Sequence, residues 1–270
     1  MTNPILEHNR RVWDERVRAR QRFTAPASAE EMKTPLKAID PMGWLGGDVA
    51  GRRILCLGAG GGKHGPLLAA AGAQVTVVDL SPEMLRLDRE MAAQYQLQLE
   101  TLVASLDDLG ALPAGVFDAV MQPVSSCYVP DIQLAYRELA RVTRPGAVYI
   151  SRHKQPTSLQ AGLSPGPQGF VLAEAYYLSG ALSPASQPGP HREGGALEFL
   201  HRWGQLLGGL CRAGFVIEEV FEPHMADASA APGSFEYRCH YIAPYIQLRA
   251  RRTDAPAPTA AGALWTPPKG

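Results

Sequence analysis

The stretch Arg53-Ile54-Leu55-Cys56-Leu57-Gly58-Ala59-Gly60-Gly61-Gly62-Lys63-His64-Gly65 decides how the chain is read. An apolar run, Ile54 to Leu57, breaks into a glycine-dense turn, and the residues beyond the turn suit a helix. Seventeen residues past Gly62 stands Asp79, closing a second apolar run, Val75-Thr76-Val77-Val78. Glycines let a backbone approach a ligand closely, and a carboxylate at the end of the next strand can accept bonds from ribose hydroxyls. The outline is that of a nucleotide-binding βαβ unit.

The residues that follow repeat the alternation. A helix from about Lys63 to Ala71 carries Pro66 in its first turn, where a missing amide proton costs little. Ser81 is a good helix cap and Pro82 suits the first helical position; the helix runs to about Tyr95, with Met84, Leu87, Met91 and Tyr95 on one core-facing side. Leu97 to Ala104 and Val116 to Val124 read as a third and a fourth strand. Asp131 caps a helix that buries Ile132, Ala135, Leu139 and Val142, and Arg144-Pro145-Gly146 stops it before a fifth strand, Ala147 to Ser151. Such alternation predicts an α/β fold, a doubly wound, mostly parallel seven-stranded sheet covered on both faces.

Either side of this core the pattern changes. Residues 1–50 begin with a helix carrying one thin apolar stripe (Ile5, Val12, Trp13, Val17) and read as an N-terminal helical lid, with Trp13 and Trp44 as candidate walls of a pocket. Residues 51–151 form the core. Residues 152–195, rich in Gly, Pro and Ser, read as an inserted cap. Residues 196–252 supply a helix from about Ala196 to Ala213, a strand Phe215 to Phe221 and a last strand Tyr241 to Arg249. The tail 253–270, full of Pro and Ala, is expected to be disordered.

With 26 basic and 26 acidic residues the 270-residue chain has no net charge, so it lacks the electrostatic footprint for a long phosphate backbone; nucleic acid is a disfavoured partner and a small-molecule substrate is favoured. Cys56, Cys127, Cys211 and Cys239 show no paired spacing, which argues against a structural zinc site or a disulfide framework and fits a reducing cytoplasm. The arginine-rich first segment is unlike a secretion signal, and no apolar run approaches the roughly 18 residues of a membrane span. A soluble monomer or homodimer is expected, with no metal, since no histidine pair has ligand spacing.

Asp79 with Ser81-Pro82-Glu83-Met84-Leu85, the phrase Phe117-Asp118-Ala119-Val120, Val129-Pro130-Asp131, Arg137-Glu138-Leu139 and Arg144-Pro145-Gly146 together resemble the class I S-adenosylmethionine-dependent methyltransferases of the small-molecule, type 11-like subgroup. The resemblance covers Gly51 to Ser151 well and extends loosely to the last strand. It implies S-adenosyl-L-methionine as cofactor, with Gly58, Ala59, Gly60 and Gly62 against its amino-acid end, Asp79 on the ribose and Leu80 beside the adenine. In the position of its adenine contacts stand Ser105 and the Leu106 amide; Trp13, from the lid, and Gln122, after the fourth strand, are further cofactor-site candidates. The family often has acids where this chain has Cys56 and Ser105.

A sulfonium methyl donor is already activated, so the protein must chiefly align the acceptor and exclude water. The carboxyl ends of the fourth and fifth strands, where ligands collect in such sheets, offer Ser125, Ser126, Cys127, Tyr128 and His153. His153 is the leading general base, since imidazole titrates near neutrality, and Tyr128 could orient an acceptor; a surface histidine and an aromatic wall are their bland counterparts. Cys127, Tyr176, Tyr177, Arg192 and His240 are the substrate-binding candidates, with His191, His224 and Arg238 nearby in the chain. Two other readings remain. A nicotinamide-dependent oxidoreductase is disfavoured by Lys63 at the third glycine position; a non-catalytic cofactor-binding or scaffold protein would keep the fold without chemistry.

Overall fold

The computed structural model describes residues 3–162, 164–184, 189 and 191–254. Seven strands form one sheet: β1 (Arg53–Leu57), β2 (Gln74–Asp79), β3 (Leu99–Val103), β4 (Phe117–Gln122), β5 (Thr143–Lys154), β6 (Phe215–Phe221) and β7 (Tyr245–Arg252). Their order across the sheet is β3-β2-β1-β4-β5-β7-β6. The first five run parallel, and β7 lies antiparallel between β5 and β6. The helices are α1 (Pro4–Arg18), α2 (Pro35–Ile39), α3 (His64–Ala70), α4 (Pro82–Tyr95), α5 (Ile132–Val142), α6 (Pro156–Gln160), α7 (Trp203–Arg212) and α8 (Phe235–Arg238).

The apolar continuity of β1 has a simple cause: both of its faces are buried. Side chains of a strand alternate between faces, so Ile54 and Cys56 join Val75, Val77 and Leu68 on the α3 side, while Leu55 and Leu57 join Val120, Leu139, Tyr149 and Leu210 on the α5 and α7 side. Full burial of each aliphatic side chain stabilises the fold by roughly 1.5–3 kcal/mol. The chain winds outward from β1 to β3, then restarts at β4 on the other side of β1. That reversal opens a crevice at the carboxyl ends of the strands, the place where such sheets bind ligands.

Caps read from sequence are made as expected. Ser81 Oγ accepts from the Met84 amide at 3.1 Å, and Asp131 Oδ1 accepts from the Gln133 amide at 2.8 Å. The buried face of α4 is Met84, Leu85, Asp88, Met91 and Ala92, so Leu87 and Tyr95 lie at its margin. Other expectations need correction. The helix foreseen from Ala196 starts only at Trp203, because 196–202 is drawn into tertiary hydrogen bonds: Leu197 N donates to Asn9 Oδ1 at 2.8 Å and Phe199 N to Cys127 O at 2.7 Å. The fifth strand begins at Thr143 and reaches Lys154, and the last begins at Tyr245. The tail beyond residue 254 lies outside the described residues.

The amino-terminal segment is fastened to the core by buried polar groups. Asp14 Oδ1 accepts from Ser81 Oγ at 2.6 Å, tying α1 to the cap of α4. Asn9, fully buried, donates to Tyr128 O at 3.1 Å and to Leu197 O at 3.0 Å, so one amide joins α1, the loop after β4 and the later extended segment. Among the described residues no helix is long and apolar enough to cross a membrane.

Candidate active site

A cavity of about 670 Å³ opens at the carboxyl ends of the strands, a size typical of small-molecule sites. At its β1–β2 end the wall is the glycine turn. Gly58 has φ +58°, and a Cβ there would meet Ser125 Cβ and Oγ at 2.6 Å, so only glycine permits this turn beside the loop after β4. At Gly60 a Cβ would meet Met84 Cβ at 2.8 Å and Asp79 Oδ2 at 3.0 Å. The turn is held from below by carboxylates: Gly60 N donates to Asp79 Oδ2 and Gly61 N to Asp88 Oδ2, both at 2.9 Å. Asp79 Oδ1 also accepts from Ser81 N at 2.9 Å. Asp79 therefore keeps lone-pair capacity for a ligand. Enclosure raises the Asp79 pKa to about 6 against the lowering effect of those amides, and burial raises that of Asp88 to about 7.

Leu80, Ser105 and Leu106 continue the same wall. The Ser105 hydroxyl donates to Asp107 Oδ1, which leaves its oxygen as an acceptor. Gln122, at the end of β4, is held at both ends of its amide: Oε1 accepts from Tyr149 Oη at 2.7 Å and Nε2 donates to Ser125 Oγ at 3.1 Å. The amino-terminal segment supplies Trp13, Phe23 and Trp44 to the wall, and Trp13 packs edge-on against Tyr128 with ring centroids 5.5 Å apart.

The β4–β5–β7 end has a different character. Tyr128, Arg152, Glu193, Met225, Phe235 and Tyr245 line it. Behind Tyr128 sits a buried ionic cluster: Tyr128 Oη donates to Glu193 Oε2 at 2.5 Å, Lys154 Nζ donates to the same oxygen at 2.6 Å and to Glu198 Oε1 at 2.5 Å, and Arg192 Nε donates to Glu198 Oε2 at 2.7 Å. Burial, with Glu193 beside it, drives the phenol pKa of Tyr128 far above its usual value, so the hydroxyl is a neutral donor. Lys154 is charged, its pKa raised through the adjacent carboxylates despite burial.

A family model described as "Methyltransferase domain" matches residues 55–151, which span β1 to β5. A solved S-adenosylmethionine-dependent methyltransferase from Mesorhizobium loti shares 27% identity with a TM-score of 0.60, covering 76% of this chain and 93% of that one. "Uncharacterized methyltransferase YbaJ" of Bacillus subtilis (strain 168) is 30% identical over 237 residues, 82% of this chain and 91% of that protein. The chain belongs to the S-adenosylmethionine-dependent methyltransferases. A ubiquinone biosynthesis O-methyltransferase of Xanthomonas oryzae pv. oryzae (strain PXO99A) is 36% identical over 122 residues, but the match spans only 51% of that protein. Neither the nicotinamide oxidoreductase nor the non-catalytic scaffold finds support among these relatives. The methyltransferase uses S-adenosyl-L-methionine.

In this methyltransferase Gly58, Gly60, Asp79, Leu80, Ser105, Leu106, Gln122, Trp13 and Tyr128 share one cavity wall, while Ala59 and Gly62 sit in the turn just behind it. The acceptor-side candidates are placed otherwise. His153 is fully buried outside the wall, with Ser126 Oγ 2.7 Å from Nδ1 and Ser151 Oγ 2.8 Å from Nε2, and burial lowers its pKa to about 3. The reason is the two-residue period of β5, which turns Arg152 toward the cavity and His153 to the opposite face. Cys127 is a buried apolar neighbour of Tyr128 whose thiol pKa burial raises. Tyr176 and Tyr177 pack on each other away from the cavity, and Tyr177 is 77% exposed beneath the Arg202 guanidinium. Arg192 is taken up by Glu198, and His240 Nε2 lies 2.7 Å from Asp227 O near the surface.

Residues that the sequence reading passed over take their places. Arg152 and Glu193 bring charge to the wall, Phe235 and Tyr245 bring aromatic faces, and Asp88 supports the glycine turn. Only Arg152 had a sequence signal, as the alternate-face neighbour of His153 in a strand that outlasts Ser151. Among the described residues no group of three His, Cys, Asp or Glu side chains is arranged to hold a metal ion.

Proposed function

We propose that this enzyme methylates a small organic molecule held at the β4–β5–β7 end of the cavity, with the adenosyl part of the cofactor at the β1–β2 end. One observation carries the reading: the glycine turn with Asp79 and the charged, aromatic wall around Tyr128 and Arg152 line the same cavity. Asp79 has lone pairs for the ribose hydroxyls; Ser105, fixed as an acceptor by Asp107, and the Leu106 amide suit the adenine edge; Leu80 suits its face. Gly58 and Gly60 admit the amino-acid end close to the backbone, with Trp13 and Gln122 beside it. When bound, the cofactor supplies an electrophilic methyl group on a sulfonium. The protein's own part is alignment and exclusion of water.

Tyr128 serves as an orienting donor rather than a base, because its proton is held by a high pKa and directed at Glu193. The imidazole at the end of β5 lies behind the wall, so an acceptor whose proton is readily lost is the natural substrate. Residues 1–50 act as a lid and 152–195 as a cap, each contributing side chains to the wall. The enzyme works as a monomer or homodimer in a reducing cytoplasm, where its four cysteines stay free, without nucleic acid or membrane as partner. Calorimetry with S-adenosylhomocysteine, followed by assay of its release from a panel of small acceptors against peptide and RNA pools, tests this. Turnover confined to the macromolecular pools would overturn the small-acceptor reading.

A further inference from the structure

In the ionic cluster behind Tyr128 every cation has a carboxylate, but the arginine beside it on the cavity wall has none. Lys154 and Arg192 are matched by Glu193 and Glu198. Arg238, buried outside the cavity wall, spends its guanidinium on neutral oxygens, donating to Gly162 O, Ser158 Oγ, Ser158 O and Ala161 O. Arg152 has no such set. Its Nε is buried without a hydrogen-bond partner among the described residues, and no described carboxylate lies within ion-pair distance. Its neighbours are the Tyr245 ring, 4.4 Å from the guanidinium carbon, and Met225 Sδ, a weak acceptor 3.5 Å from Nη2. Arg152, Tyr245 and Met225 all line the cavity.

Arg152 is half-buried, and a guanidinium partly withdrawn from water, with a buried Nε and no carboxylate to match it, is costly unless something else meets it. Burial pulls its pKa below the ordinary arginine value, in keeping with that missing partner. The aromatic face beneath it fixes the plane of the fork, and a planar fork of N–H donors matches the two oxygens of a carboxylate. Position assigns the partner. From β2, where Asp79 ends the cofactor side, to β5, where Arg152 stands, the sheet order gives three strand spacings, roughly 14 Å. We propose that Arg152 is the anion-reading residue of the acceptor site, and that the methyl acceptor is a carboxylic acid whose carboxylate docks on this guanidinium over the Tyr245 ring. This rests on the small-acceptor reading above. A single unmatched cation suits a monoanion; the cofactor's own carboxylate belongs at the glycine turn, two strands away.

The test uses the full-length protein saturated with S-adenosylhomocysteine, with binding followed through the fluorescence of Trp13 and Trp44 and by calorimetry. Matched probes are 3-phenylpropanoate with 3-phenylpropanamide and hexanoate with hexanamide, alongside inorganic phosphate. The carboxylates should bind, and the amides should bind at least about tenfold more weakly, the loss expected for a charge-assisted pair. Arg152→Gln should erase that preference and Arg152→Lys should restore part of it, while S-adenosylhomocysteine binds all three proteins alike. Amides binding as well as carboxylates would overturn the proposal and leave the small-acceptor reading standing. Failure of both acids and amides to bind would sink the two together. Stronger binding of phosphate than of either carboxylate would overturn the assignment to an acid. If Arg152→Gln weakens S-adenosylhomocysteine but not 5′-methylthioadenosine, the arginine reads the cofactor's carboxylate, and the proposal is wrong. Should Arg152→Gln fail to fold, the acid and amide comparison on the wild-type protein still decides.

Discussion

The Tyr128 hydroxyl donates to Glu193 Oε2 at 2.5 Å, and that same oxygen accepts from Lys154 Nζ at 2.6 Å. A residue just after β4, one at the end of β5 and one from the following insertion therefore share a single carboxylate oxygen beneath the cavity. Removing the pieces should cost unequally. Tyr128→Phe deletes one hydrogen bond to a carboxylate and should lower stability by about 1.5–3 kcal/mol. Glu193→Ala leaves a buried ammonium with only Glu198 and should cost about 3–5 kcal/mol. Urea unfolding of the two variants checks the ranking; equal midpoints would show that the cluster is not a stability element.

Asp79 links cofactor affinity to pH. Burial raises its carboxyl pKa to about 6, and on the function proposed above ribose hydroxyls would donate to the ionised form. S-adenosylhomocysteine affinity should be flat above neutrality and weaken progressively below about pH 6. Asp79→Asn should bind roughly ten- to a hundredfold more weakly at pH 8, the loss of a charge-assisted bond, and should lack the acid limb. An unchanged pH profile in the asparagine variant would remove Asp79 from the ribose.

Gly60→Ala tests the close approach at the turn. The added Cβ would stand 2.8 Å from Met84 Cβ and 3.0 Å from Asp79 Oδ2, so the turn or α4 must shift. Overpacking of this kind costs about 1–3 kcal/mol. We expect a lower melting temperature and weaker binding of S-adenosylhomocysteine, whereas Gly115→Ala, at a turn with open space around it, should suffer only from its φ of +66° and leave binding intact. Equal cofactor affinity in both variants would refute the role of the turn.

His153 should remain neutral well below neutrality. Its folded pKa, and that of buried His191, lies at about 3, below the unfolded value near 6.5. A base with a depressed folded pKa contributes stability that is present above pH 6.5 and lost as pH falls toward 3, by up to about 1.4 kcal/mol per pH unit for each ring. Asp79 and Asp88 act oppositely: their contribution is present below about pH 4 and lost as pH rises through about 6 and about 7. The rings are therefore best followed singly, by carbon chemical shifts of labelled histidine. Titration of His153 between pH 8 and 5 would reinstate it as a candidate base.

What the residues determined by themselves was the half of the molecule built from local rules. The buried strand, glycine turn, Ser81 cap and Asp79 lie within 30 residues of one another, and each follows from backbone sterics, capping or strand burial acting over a few positions. Those rules made the β1–β2 end of the cavity and the parallel alternation of the core legible, whereas the strand order came from the structure. The β4–β5–β7 end was decided by tertiary structure. Tyr128, Lys154, Glu193 and Glu198 come together only because β5 runs three residues past Ser151, and because the segment before α7 is pulled extended by Asn9 and Cys127 rather than coiling as its periodicity favours. Charge pairing between residues some 40 positions apart leaves no periodic trace in a sequence, and neither does the lack of a partner. That is why His153, chosen for its chemistry, faces away from the cavity, while Arg152, one residue earlier on the opposite face of the strand, stands on the cavity wall without a carboxylate partner.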